Sequence, residues 1–323
     1  MSYIFEALQR AEAERAGAAA PVRAESVAEL LQEIEPLQQE MERKAEGEES
    51  VPPLSAVLPL EPQETAAEIF TASKVLTPAP TVDSRMVCMT DQGSLAAEQF
   101  RVLGLKLRHL KERRKLQRIV VTGSAPQEGK TLVALNLALN QARSKVLKTL
   151  LLDGDLRRPM LAERFGFDRF LPGLSECLKD EEEPGNCIYK IAGSGLWFMP
   201  AGHPPDNPLE LMQAGRLPAL LDLAGKFFDW IIVDSPPVTP LADTAFWMKQ
   251  ADGVLIVIRE GVSERKIIEK TMNSLGGFPL LGVVVNSCKS SEWKDYYSHY
   301  GYARVQSDQT LPQHPEVNDK QAE

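Results

Sequence analysis

The sequence predicts an α/β fold, a doubly wound and mostly parallel sheet. Three observations carry that expectation. A Gly-Lys-Thr loop, Gly129–Thr131, sits between an apolar strand pattern and an apolar helix pattern. Two further β-branched or leucine-rich runs end in aspartate, at Asp153 and Asp234. Beyond them, short apolar runs alternate with helical periodicities, as βαβ units require.

The first ninety residues read differently from the rest. They hold 16 acidic and 7 basic residues, so they carry the whole formal charge of −9. Residues 91–323 hold 29 of each sign. Met1–Arg15 places Ile4, Phe5, Leu8 and Ala11 at helical spacing, a short amphipathic helix that is either a frayed end or a docking peptide. A second helical pattern over Val27–Lys44 is interrupted by Pro36. From Ala45 to about Thr90 the chain is Glu-, Ala- and Pro-rich, a composition that buries too little apolar area to offset chain entropy. Residues 1–90 are therefore expected to form a largely disordered tether, 91–290 a folded domain and 291–323 a tail.

Several classes are excluded. The apolar runs fall far short of the ~20 residues that span a bilayer. No basic segment followed by an apolar stretch opens the chain. The chain's acidity disfavours sequence-independent nucleic-acid binding. Cys88, Cys177, Cys187 and Cys288 show no C-x-x-C spacing and read as free thiols of a cytoplasmic protein.

The folded part opens with a helix from Gly93 whose apolar stripe is Leu95, Phe100, Leu103, Leu107 and Leu110, with a basic run ending at Lys115. Arg118–Thr122 is a short strand that runs into Gly123-Ser-Ala-Pro-Gln-Glu-Gly-Lys-Thr131 and then the helical Leu132–Leu139. In such a loop, backbone N–H groups and a helix N-terminus face an anion. Ala125, Pro126, Gln127, Glu128 and Gly129 would wrap phosphates, Lys130 would reach the β/γ-phosphates, and Thr131 would ligand Mg²⁺. The domain is thus expected to be a P-loop NTPase fold. Leu150–Pro159 follows as a buried strand that delivers Asp153 and Asp155 beyond its carboxyl end, where open α/β sheets bind ligands. Two carboxylates beside a phosphate chain call for a cation. One can hold the metal while the other takes a proton, and Arg157 and Arg158 can stabilise phosphoryl charge. By itself D-x-D after a strand also reads as loop solvation and helix capping. Trp230–Pro237 is a third strand, with Asp234 placed to hold magnesium.

Further strands are expected at Leu196–Pro200, Val254–Ile258 and Gly282–Val285, and helices at Pro208–Gly225, Ala242–Gln250 and Ser263–Leu275. Asn286 at a strand end has two readings, an adenine contact and a loop-capping amide, and Arg259 shares them. The tail is unusual. Four of the six tyrosines, Tyr296, Tyr297, Tyr300 and Tyr302, fall within seven residues of a polar segment.

The phosphate loop, the strand-borne D-x-D-x-R-R-P and V-D-x-P-P together resemble the bacterial tyrosine kinases of capsular and exopolysaccharide synthesis. The likeness runs from about Ser94 to Tyr302 and includes Gly202-His-Pro-Pro-Asp-Asn-Pro208. It implies an ATP- and Mg²⁺-dependent protein-tyrosine autokinase. Its implied catalytic residues are Lys130, Asp153, Asp155, Arg157 and Asp234, its metal ligands Thr131, Asp153 and Asp234, and its phosphoacceptors the four tail tyrosines. Implied partners are a transmembrane polysaccharide co-polymerase that activates the kinase at the membrane, a second copy for phosphorylation in trans, and a tyrosine phosphatase. Three positions depart from the family pattern: Gly123 stands at a serine, Gln127 at a glycine, and Gly104 where Glu98-x-x-Arg101 would continue to a second arginine. The alternative is a positioning ATPase of the MinD/ParA class, against which Ala125 counts because a lysine is expected there.

Overall fold

The computed structural model describes residues 65–81, 84–144, 146–238 and 242–287. The helical patterns expected over 1–15 and 27–44, and the tail with its four tyrosines, lie outside them. Strands are β1 Val75–Leu76, β2 Arg118–Gly123, β3 Thr149–Asp153, β4 Tyr189–Ile191, β5 Leu196–Met199, β6 Trp230–Asp234, β7 Gly253–Arg259 and β8 Leu280–Asn286. Helices are α1 Ala66–Thr71, α2 Val87–Thr90, α3 Leu95–Arg113, α4 Lys130–Gln141, α5 Leu161–Phe165, α6 Leu174–Lys179, α7 Pro184–Cys187, α8 Pro208–Gln213, α9 Arg216–Gly225, α10 Ala242–Lys249 and α11 Arg265–Ser274.

The strands form one sheet in the order β1-β4-β5-β3-β6-β2-β7-β8. Every neighbouring pair is parallel except β4 with β5. Burial on both faces explains why the central strands carry apolar residues at consecutive positions, not at alternate ones. Leu150 and Leu152 of β3, Ile231 and Val233 of β6, Val120 of β2 and Val254 and Ile256 of β7 face one core layer with α8, α9 and α10. Leu151, Ile232, Ile119, Val121, Leu255 and Val257 face the other, against α3, α4 and α5. Helices thus cover both faces, as expected of a doubly wound sheet.

The ordered fold starts earlier than residue 91. Thr65 and Glu68 form a capping box at the start of α1. Phe70 of α1 is fully buried, its ring 5.3 Å from Phe228 and 5.6 Å from Phe227. Burial of one such side chain contributes about 2–3 kcal/mol, which anchors a segment of otherwise polar composition. Met86 and Cys88 are buried as well, and Asn136 of α4 ties this stretch down, accepting from Cys88 N at 3.0 Å and donating to Arg85 O at 2.9 Å. The tether boundary expected at residue 90 therefore does not describe 65–90.

Two local details differ from the sequence reading. The helix expected over Pro208–Gly225 is two helices, broken where Gly215 takes φ +89° as the N-cap of α9. Gly104 lies against α4, where a Cβ would collide with the Asn140 side chain, and its carbonyl accepts from Gln141 Nε2 at 3.2 Å. Close approach of α3 to α4, rather than a missing surface contact, explains glycine at that position.

Candidate active site

Parallel register brings the three motifs to one edge. Asp153 of β3 pairs with Asp234 of β6, and Asp234 pairs with Val121 of β2, two residues before the phosphate loop begins. On the other side of β2, Gly123 pairs with Val257 of β7, and Arg259 pairs with Asn286 of β8. All these residues leave the sheet at its carboxyl edge, the ligand-binding edge of open α/β sheets.

The phosphate loop turns through left-handed backbone at Gln127 (φ +64°) and Gly129 (φ +92°). A non-glycine residue such as Gln127 is strained in this conformation by about 1–2 kcal/mol. Lys130 is the first residue of α4 and its Nζ donates to Ala125 O at 2.6 Å. Burial pushes the Lys130 ammonium down in pKa, against the opposing influence of Glu128, Asp234 and Asp155.

Glu128, expected to wrap phosphate, is turned inward. It is buried, and its carboxylate accepts from Ala125 N at 2.9 Å, from Ser263 Oγ at 2.6 Å and from Ser124 Oγ. A carboxylate facing a polyphosphate would repel it; here three donors hold it away. Gly123 makes this possible, because a Cβ there would meet the Glu128 carboxylate and the Val257 carbonyl. Asn286 donates from Nδ2 to Glu128 O at 2.9 Å, and Arg259 donates to Gln127 O at 3.2 Å. Of the two readings of these side chains, the loop-capping one matches the geometry. The ends of β7 and β8 and the start of the α11 segment therefore clamp the phosphate loop from behind.

The D-x-D turn is equally determined. Asp153 is fully buried; its Oδ1 accepts from Asp155 N at 3.3 Å and its Oδ2 from Met160 N at 3.2 Å and Leu161 N at 3.1 Å. Asp155 is more open and accepts from Arg157 N at 3.2 Å and Arg158 N at 3.0 Å. The capping role is thus present in both carboxylates alongside their position at the site. Gly154 between them has no room for a side chain, since a Cβ would meet Asp234 O and the Trp247 indole. Trp247 Nε1 donates to Gly154 O at 3.0 Å. Arg157 is gripped by Asp243 of α10 through two hydrogen bonds of 2.6 and 3.1 Å.

Electrostatics single out the same group. Burial, and then the neighbouring Asp155, raise the Asp153 carboxyl to about 7, against hydrogen bonds from Leu161, Asp155 and Met160. Burial and the Asp153 charge raise Asp234 well above the carboxylate range, although the Thr131 side chain hydrogen-bonds it. Asp234 Oδ1 is buried without a hydrogen-bond partner. Asp155 is raised too, chiefly by burial. Clustered carboxylates with an orphaned buried oxygen beside a threonine hydroxyl fit a divalent cation. Among the described residues no set of three or more His, Cys, Asp or Glu side chains forms an all-protein metal cage. One or two carboxylates and a hydroxyl are a donor set that can hold Mg²⁺ together with substrate phosphates.

Sequence reasoning missed Ser263 and Asp243. Ser263 carries only the signature of a helix start and Asp243 that of an acidic first turn, so neither stands out before the fold brings them to the loops. The four tail tyrosines lie outside the described residues.

This fold and its strand-end residues define a P-loop nucleotide-binding protein. No family model matches the chain. It is 30% identical over 219 residues to the tyrosine-protein kinase YwqD of Bacillus subtilis, covering 67% of this chain and 90% of that one. It is also 30% identical over 226 residues to the tyrosine-protein kinase wzc of Salmonella typhimurium, of which it covers 31%. Among solved structures it is similar to the kinase domain of the Escherichia coli tyrosine kinase ETK, with TM-score 0.60, 28% identity and coverage of 64% of this chain and 81% of that one. The BceF tyrosine kinase domain gives TM-score 0.57 and 29% identity, over 68% of this chain and 95% of that one. The chain belongs to the bacterial tyrosine kinase family.

Proposed function

We propose that this chain is an ATP-dependent protein-tyrosine autokinase that phosphorylates the Tyr296–Tyr302 cluster of a second copy and thereby regulates exopolysaccharide or capsule synthesis. The juxtaposition of Asp153, Asp155 and Asp234 with Lys130 and Thr131 carries the reading, because a phosphate loop with its strand-end Asp234 does not by itself call for two more carboxylates.

The loop N–H groups of residues 127–131 and Lys130 hold the phosphates; Thr131, Asp234 and Asp153 would hold Mg²⁺. When bound, that ion neutralises charge on the transferring phosphoryl group and its leaving oxygen. Asp153 is fixed by three backbone donors, so the more open Asp155 is the group that accepts the proton. A tyrosine hydroxyl has an ordinary pKa near 10, and a carboxylate whose pKa is raised is a better base for it. The tyrosine oxygen forms its bond to the γ-phosphorus as the bond to ADP breaks, and the phenolic proton passes to Asp155. Arg157, oriented by Asp243, faces the developing charge. Glu128, Ser263, Asn286 and Arg259 keep the loop in shape.

The resemblance also supports a transmembrane co-polymerase as activator, a tyrosine phosphatase as the opposing enzyme, and a cytoplasmic location reached at the membrane through that activator. Among the described residues no helix is long and apolar enough to cross a membrane. Incubating the purified chain with labelled ATP, Mg²⁺ and the cytosolic segment of its activator should label the Tyr296–Tyr302 peptide. Absence of label from folded protein would sink the proposal, and hydrolysis stimulated by lipid or DNA with dispensable tyrosines would favour the positioning ATPase.

A further inference from the structure

Phe170 is the one exposed Phe, Tyr or Trp among the described residues, at 49% exposure. It lies in the loop between α5 and α6, and its ring stacks on His203 with centroids 5.3 Å apart and planes 12° from parallel. The His203 side chain is itself 60% exposed. Two aromatic faces are therefore held in register in water, where burial gains them little.

A buried carboxylate holds them there. Glu176 is 7% exposed; its Oε1 accepts from His203 N and lies 2.9 Å from His203 Nδ1, and its Oε2 accepts from Gly173 N at 2.7 Å. Burial raises the Glu176 pKa, but the hydrogen bonds from His203 and Gly173 outweigh it and the carboxyl sits below its ordinary value. An ionised carboxylate only accepts, so Nδ1 carries the hydrogen and Nε2 is directed away from Glu176. Gly202 runs with φ +81°, and a Cβ there would collide with the Glu176 carboxylate. The loop is built around this contact.

Its place in the fold gives the platform a use. The loop bearing His203 leaves the carboxyl end of β5, and β5 pairs with β3, with Met199 opposite Leu152. The next residues along these strands are Pro200–Gly202 and Asp153–Asp155. Leu156 and Ala201 lie in the same core layer. The phosphate loop leaves β2, on the opposite side of β3 and β6. In-line transfer needs the nucleotide on one flank of the catalytic carboxylate and the attacking hydroxyl on the other. The β5 flank is the acceptor side.

We propose that Phe170 and His203, oriented by Glu176, form a stacking subsite for an aromatic side chain of the acceptor segment of a second copy of this chain. That segment carries Trp293, Tyr296, Tyr297, His299, Tyr300 and Tyr302, and its charges nearly cancel, with Lys289 and Lys294 against Glu292 and Asp295. Recognition by ring stacking suits such a sequence better than recognition by charge. The subsite rests on the autokinase reading above.

The test uses the full chain as enzyme and its Lys130→Met variant as acceptor, with phosphate transfer followed against acceptor concentration. Phe170→Ala with His203→Ala in the enzyme copy should raise the KM for the acceptor about fivefold, the size of one lost aromatic stack. The KM for ATP should stay unchanged, and the same substitutions in the acceptor copy should have no effect on transfer. His203→Phe, which keeps a ring, should restore most of the acceptor KM. An unchanged acceptor KM, or an equal rise in both KM values, overturns the subsite while leaving the kinase intact. If the wild-type enzyme transfers nothing to the acceptor, the autokinase reading fails and takes the subsite with it.

Discussion

Asp234→Asn should make the nucleotide-free protein more stable while removing its response to MgATP. Asp153 and Asp234 pair directly across β3 and β6. Burial, and then the Asp153 charge, raise the Asp234 carboxyl well above its ordinary value, which disfavours its ionised form in the folded state. A neutral amide at 234 escapes both the ionisation of a buried carboxyl and the repulsion with Asp153, so about 1–2 kcal/mol should be recovered at pH 8. For a domain of this size that is a rise of about 4 °C in thermal midpoint. The sign follows from linkage. A carboxyl whose folded pKa lies above its unfolded value binds its proton more tightly when folded. The destabilisation is absent below the unfolded carboxyl range, near pH 4, and grows as pH rises toward the raised folded-state value. Calorimetric scans of wild type and Asp234→Asn at pH 5 and pH 8 should therefore diverge at the higher pH. Adding MgATP at one hundred times its Kd should raise wild-type stability by about 2.7 kcal/mol and leave Asp234→Asn nearly unmoved. A variant that is less stable than wild type at pH 8, or that keeps the MgATP response, would refute the assignment of this carboxylate cluster to a cation.

Other outcomes follow from the same geometry. Arg157→Met strands the buried Asp243 and should cost about 2 kcal/mol in urea unfolding, less than a fully buried pair because Arg157 is 42% exposed; Asp243→Asn added to it should recover most of that loss. Asn286→Ala removes the amide from Glu128 O and should weaken binding of a fluorescent ADP analogue about fivefold, the worth of one hydrogen bond. Ser263→Ala should act in the same direction, and an unchanged affinity in both would show that the phosphate loop needs no support from β8 or α11. Gln127→Gly relieves a left-handed residue and should raise the thermal midpoint, with a net gain of about 0.5–1 kcal/mol after the added chain entropy.

What could be read without the structure was whatever rests on local pattern. β2, β3, β6 and β7 are continuous apolar runs, and the loops after the first three carry residue types that announce phosphate and cation chemistry. Long-range partnership was not legible. Glu128 reads as part of a phosphate-wrapping loop until Ser263, 135 residues away, is seen to donate to it. Asp243 reads as a helix-dipole residue until Arg157 meets it across 86 residues. The tether boundary was misplaced because composition averages over a window, whereas Phe70 alone is enough to anchor α1 against Phe227 and Phe228. Gly104 looked like a lost arginine because a motif compares side chains and cannot show that Asn140 occupies the space.

The proposed reaction is transfer of phosphate from ATP to the tail tyrosines through the Lys130 loop and the Asp153–Asp155–Asp234 edge. Phosphopeptide mass spectrometry on the wild type and on Lys130→Met, each produced with and without a transmembrane activator, tests it most directly. Phosphate on Tyr296, Tyr297, Tyr300 or Tyr302 in the wild type, increased by the activator and absent from Lys130→Met, is the predicted result. Unmodified tyrosines in folded wild-type protein with the activator present, or equal modification of both proteins, would contradict it.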